Sequence, residues 1–165
     1  MGNLLKLFFK LCVFRAKPQD LPASGFLLGL MLTTYALVSL AVASTEMPSS
    51  SAALYALADT VILALFSYIV LSLKRFPERL VQTLTALAGT GALFGLLAWP
   101  ALSLPETQVT LLLAPLVIWA IAVTAFILRE ALTISLALSL ATSLGYFSIS
   151  LIALSALFPV APQAL

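Results

Sequence analysis

The sequence predicts an all-α fold: a polytopic integral membrane protein with five transmembrane helices, preceded by an N-terminal amphipathic interfacial helix. Three observations predict it. Hydrophobic residues make up 62% of the chain and charged residues 8%, whereas soluble domains carry about 25% charged residues. A soluble core of this size has no room for so much apolar surface, and a bilayer does. Second, the stretch from Val109 to Phe158 has only Arg129 and Glu130 as charges. Its roughly 50 residues would form one straight helix about 75 Å long, against a hydrocarbon core roughly 30 Å thick. It must reverse, and the Arg129-Glu130 pair lies where a reversal leaves two full spans. Third, a five-span layout puts all 8 Lys and Arg residues on one side, which is the bias expected of cytoplasmic segments.

The elements follow in order. Residues 1–24 form a basic amphipathic surface segment and turn. At 100° per residue Asn3, Lys6, Lys10 and Lys17 share one helical face, and Leu4, Leu5, Phe8, Leu11 and Cys12 the other. A helix over 1–17 with this pattern lies on a membrane, with Lys6, Lys10 and Lys17 toward anionic inner-leaflet lipid heads. Pro18 disfavours helix at Lys17 and ends it. Ser24 is placed to cap the next helix.

Residues 25–158 form the five-helix transmembrane domain. The first span, Gly25–Ala43, carries Gly25 and Gly29 at a spacing that lets helices approach closely. The second, Ala52–Leu73, contains Asp59, the one charge-capable group placed inside a span. The third, Leu80–Leu102, has Gly91 and Gly95 at the same close-packing spacing, and Pro100 is expected to bend its far end. The fourth is Val109–Leu128, with Pro115 and Trp119 inside it. The fifth, Ala131–Leu157, carries Ser135, Ser139 and Ser143 four apart, a stripe that marks close helix packing in lipid. Residues 159–165 form a short outer tail without a charged side chain.

Five spans with the N-terminus inside leave Glu46 and Glu106, and no Lys or Arg, on the outer side. A four-span layout would hold Arg129 in hydrocarbon at a cost of at least about 2.5 kcal/mol on insertion scales, or strand the last segment on the surface. Arg75, Arg79, Arg129 and Glu130 then mark the inner interface, with Glu130 expected to pair with Arg75 or Arg79. The C-terminus lies outside. The lack of organelle signals and the small, Leu/Ala-rich spans point to a bacterial inner membrane.

Composition also excludes functions. There is one cysteine, Cys12, and no histidine, so no zinc site and no Cys/His or Ser/His/Asp set can be assembled within the chain. A net charge of +2 argues against nucleic acid as a partner. The start is no secretory signal, because Lys6, Lys10 and Arg15 break its apolar stretch. Met1-Gly2 opens like a myristoylation signal, but position 6 is Lys instead of Ser or Thr. No cofactor is expected.

An amphipathic basic segment precedes closely spaced spans. Arg79-Leu-Val-Gln-Thr83 leads into an Ala/Gly-rich third span, and Arg129-Glu130-Ala131 leads straight into the last one. In this layout the chain resembles the Ypt-interacting-protein (Yip) family of five-span membrane proteins, particularly its small bacterial relatives. The resemblance implies a five-helix membrane fold and carries over no catalytic or binding residue. The Asp-Leu-Tyr-Gly-Pro motif of the eukaryotic members, which are associated with Rab-type GTPases, does not occur here.

Asp59 is the residue to single out, with Tyr55 and Ser67 roughly on its face. Ionisable groups at such depth are rare and mark functional sites or ties between helices. An enzyme would need a second chemical group nearby, and only hydroxyls are on offer. The expectation is therefore a non-enzymatic interaction or accessory protein: a scaffold or subunit of a membrane assembly, or an organiser of lipid, meeting other membrane proteins or copies of itself. The alternative is a small transporter or channel subunit that uses the carboxylate of Asp59.

Overall fold

The computed structural model describes residues 2–159, apart from the side chains of residues 2, 3, 5 and 106. The N-terminal residue and the tail beyond 159 lie outside the described residues. Among the described residues there are six α-helices: α1 (Gly2–Cys12), α2 (Gly25–Ala43), α3 (Ser49–Leu73), α4 (Leu80–Ala98), α5 (Glu106–Leu132) and α6 (Leu136–Leu157). Helices α2 to α6 correspond to five segments long and apolar enough to cross a membrane. The chain is an integral membrane protein.

Helix ends follow local chemistry. The Ser24 hydroxyl accepts from the Leu27 amide at 3.4 Å and caps α2 as expected. Helix α3 starts before Ala52, directly after Pro48 at its N-cap, whose carbonyl accepts from the Ala52 amide at 2.9 Å. Pro100 stands in a 3-10 turn, Trp99–Ser103, that closes the third span. Helix α5 runs through Pro115, which a lipid-facing helix tolerates when neighbours and local adjustment satisfy the freed carbonyl.

The reversal lies further along than the charged pair suggests. Arg129 and Glu130 belong to the last turn of α5, where a cation is favourable near the helix C-terminus. Thr133, at φ 53° and ψ 45°, ends the helix in the left-handed conformation. The Ser135 hydroxyl then accepts from the Leu138 amide at 3.4 Å and starts α6. Ser135 is thus a cap, and only Ser139 and Ser143 of the expected stripe lie in the packing face. The fifth span begins at Leu136, not Ala131.

The spans close into a ring. Helix α2 packs on α3 and α4, α4 on α5, α5 on α6, and α6 back on α3, while α3 and α4 also touch across it. Every residue from Thr83 to Thr90 of α4 is buried. The glycines of α4 explain the close approach. A Cβ at Gly91 would sit 2.8 Å from the Tyr35 ring, and one at Gly95 would meet Val38, both on α2. Gly25 and Gly29 have nothing within 4 Å of the corresponding position. They face away from the bundle and serve no contact within it.

Helix α1 differs from expectation in length and place. It ends at Cys12, because Phe14 takes φ 60° and the Arg15 amide returns to the Lys10 carbonyl at 2.7 Å. Lys17 therefore lies outside the helix. The apolar face of α1 is docked on α4 and α5 instead of resting on the bilayer surface alone. Phe8, Leu11 and Cys12 are buried, and the Phe8 ring occupies the space where Gly89 lacks a side chain. Trp119 Nε1 donates to the Cys12 carbonyl at 2.9 Å. Lys6 and Lys10 remain exposed.

One end of the ring collects polar contacts. Lys17 pairs with Glu130 at 2.9 Å. Gln19 donates to the Glu130 carbonyl at 2.8 Å, and Gln82 to the Leu21 carbonyl at 2.7 Å. Arg79 donates to the Ala131 carbonyl at 2.8 Å and lies over the Phe76 ring. The partner of Glu130 is thus Lys17, not Arg75 or Arg79. The chain leaving α1 folds under the end of α5 and brings Lys17 there, while the backbone carbonyl of Ala131 takes Arg79.

Candidate functional site

Asp59 lies part-buried on α3, turned into the ring. Two hydroxyls of α2 donate to its Oδ2: Tyr35 at 2.8 Å and Ser39 at 3.0 Å. Ser150 of α6 lies beside the carboxyl, and Tyr146 of α6 lies beside Tyr35. The carboxyl thereby ties α3 to α2 and faces α6. Gly91 makes this possible, because the Tyr35 ring lies across its bare backbone.

Three cavities adjoin one another through shared lining residues. The first, about 290 Å³, opens among Glu46, Met47, Leu102 and Phe158. Val42 and Tyr55 line both it and the second, about 190 Å³, which holds Asp59, Ser39 and Tyr35. Tyr35 and Gly91 also line the third, about 150 Å³, to which all five spans contribute, among them Leu63, Thr124 and Tyr146. Beyond it, toward the basic end, Leu11, Leu21, Leu71, Ile127, Leu128 and Leu132 are each at most 2% exposed.

The residues singled out from sequence fall into distinct places. Tyr55 lines the passage to Asp59, and its ring packs edge-on against Phe158 with centroids 5.7 Å apart. Ser67 is not part of the site, since it donates to the Leu63 carbonyl of its own helix at 2.8 Å. Ser143 donates to the Ile121 carbonyl at 2.9 Å and ties α6 to α5. Ser139 is fully buried and bonds the Leu136 carbonyl at 2.9 Å. Arg75 and Arg129 are exposed at the basic end.

The cage around Asp59 comes from residues that sequence reasoning passed over. A signal was present: Tyr35 and Ser39 stand four apart on α2, and Tyr146 and Ser150 four apart on α6. That spacing puts each pair on one helix face, so two otherwise apolar spans each offer a phenol and a hydroxyl in one direction.

Among the described residues no group of three or more His, Cys, Asp or Glu side chains could hold a metal ion. Cys12 is a buried free thiol, and burial pushes its pKa up, which leaves it protonated and unreactive at neutral pH.

Fold and site together define a five-span helical membrane protein with a hydroxyl-caged carboxyl inside its bundle. Comparison with protein-family models, with curated proteins and with solved structures found no match for the chain.

Proposed function

We propose that this protein is a non-enzymatic subunit of a membrane assembly, joined to another membrane protein or to its own copy through α2. One contrast carries the reading. The chain has two glycine pairs at close-packing spacing, and only Gly91 and Gly95 are filled from within the bundle. Gly25, Gly29 and Thr33 stay exposed along α2, a small-residue face of the kind on which spans associate in lipid. Purification in mild detergent tests it. Gly29→Leu should keep the thermal stability of the protein and lose what travels with it. Unchanged assembly in that variant would count against the proposal.

The concentration of Lys17, Lys74, Arg75, Arg79 and Arg129 in the segments at one end supports a cytoplasmic N-terminus and an outer C-terminus. The exposed Lys6 and Lys10 suit anionic inner-leaflet lipids. Short loops fit a bacterial inner membrane, and the five-span layout keeps the likeness to the Yip family as a proposal about fold.

The second reading is a small transporter or channel subunit using Asp59, with Tyr55 beside its entrance. The cavities in series on either side of the carboxyl favour it.

A further inference from the structure

We infer that Asp59 is a proton-exchange site reached by water only from the Glu46 end of the bundle. This deepens the transport-subunit reading and rests on it only for purpose, because exchange is measured without any flux.

The composition of the cage is the first argument. A carboxylate inside a span ordinarily finds a basic partner, and such a partner would hold it ionised. Here, among the described residues, no Lys or Arg lines the chamber, and the polar groups around the carboxyl are Tyr35, Ser39 and Tyr55. Hydroxyls both donate and accept. Tyr35 and Ser39 donate to the ionised carboxylate, and by rotating they can accept from the protonated acid. The same cage therefore serves both protonation states without moving a helix. The titratable groups facing Asp59 are Tyr35 from α2, Tyr146 from α6 and Tyr55 from its own helix, with Glu46 at the mouth. The α4 wall offers Gly91 and Gly95, which do not titrate.

Access is the second argument. The chambers of about 290 and 190 Å³ share Val42 and Tyr55, and each has room for several waters. A proton entering at Glu46 reaches Asp59 through them, binds one carboxyl oxygen, and leaves to water by the same route. In the other direction Tyr35, hydrogen-bonded to Asp59, lines the inner cavity together with Tyr146, and the route stops there. Leu71, Leu128 and Leu132 fill the ring below it and are buried to within 2%. The path is half a channel.

The chain contains two aspartates, Asp20 and Asp59, which permits a direct measurement. Protein carrying Asp20→Asn and carbon-13 in its aspartate carboxyls reports Asp59 alone, in lipid, with its own side chain intact. The carboxyl resonance should move with bulk pH, and Tyr35→Phe should displace its midpoint. A resonance that stays fixed over the whole pH range in which the protein is folded overturns the exchange site.

Sidedness is read in sealed vesicles of known orientation, in a Cys12→Ala background, with a membrane-impermeant thiol reagent. Val42→Cys should be labelled from the Glu46 face only, and Leu71→Cys from neither face. Labelling of Leu71→Cys from the basic face, or no labelling of Val42→Cys, overturns one-sided access. A titrating carboxyl without proton flux would sink the transport reading and leave the exchange site standing.

Discussion

Tyr35 lies across the bare backbone of Gly91 and places its hydroxyl 2.8 Å from Asp59 Oδ2. A gap on α4 thus positions a donor on α2 against an acid on α3. Removing any one of the three alters what the other two can do.

Substitutions at Asp59 should therefore separate by hydrogen-bonding capacity. Asp59→Asn keeps the size and an acceptor oxygen for Tyr35 or Ser39, and should cost little in thermal stability. Asp59→Leu strands both hydroxyls. A buried group left unpaired costs about 1–3 kcal/mol, although interhelical hydrogen bonds in membranes average nearer 0.6 kcal/mol. The Leu variant should unfold at clearly lower temperature than the Asn variant in the same detergent. Equal melting of the two would mean that the carboxyl holds nothing together.

The two glycine pairs should respond in opposite ways. A side chain at Gly91 must displace the Tyr35 ring, and overpacking of this kind costs about 1–3 kcal/mol. Gly91→Leu should lower the melting temperature and loosen α2 from α4. Gly29→Leu enters open space and should leave melting unchanged. Thermal scans of the two variants side by side check this, and equal destabilisation would place Gly29 in a contact.

The fold was legible because a bilayer imposes one strong rule: apolar length. The bounds of α2, Gly25–Ala43, follow from the Ser24 cap and the polar loop after Ala43. The reversal after α5 was harder to read. Arg129 and Glu130 are the conspicuous residues there, but charges mark the interface, while the turn is made by Thr133 in a left-handed conformation and by the Ser135 cap. The site was half legible. Asp59 stands out by its charge, whereas its donors come from another helix, and helical periodicity says nothing about which spans meet. Tyr55 is near Asp59 in sequence, four residues back on the same helix. Tyr35 is near in space because Gly91 has no side chain, a relation between three helices that no single segment carries.

The proposed orientation rests on the basic end. A reporter fused after Arg75 should be active in the cytoplasm, and one fused after Leu165 only on the outer side. Charge placement near span ends sets topology, and the helix-terminal position of Arg129 leaves the rule intact. A cytoplasmic signal from the Leu165 fusion would contradict the proposed outer C-terminus.

The single cysteine turns the docking of α1 into a measurable quantity. Cys12 is buried against the bundle, its carbonyl held by Trp119 at 2.9 Å, and burial raises its thiol pKa. The thiolate is the reactive form, so wild-type protein should label slowly with a thiol reagent at neutral pH. Gly89→Val puts a side chain where the Phe8 ring lies and should push α1 away. The thiol pKa then falls toward its ordinary value, the thiolate fraction at a given pH rises, and labelling accelerates. Trp119→Phe should act in the same direction but less, because it removes one hydrogen bond worth about 0.5–1.5 kcal/mol and keeps an aromatic ring near Phe94. Glu130→Gln should change labelling least. The Lys17 side chain of that pair is 64% exposed, and exposed pairs contribute about 0–1 kcal/mol. The expected order of labelling rates is Gly89→Val, then Trp119→Phe, then Glu130→Gln close to wild type. A Gly89→Val protein that stays folded and labels as slowly as wild type would show that Phe8 does not hold α1 in place.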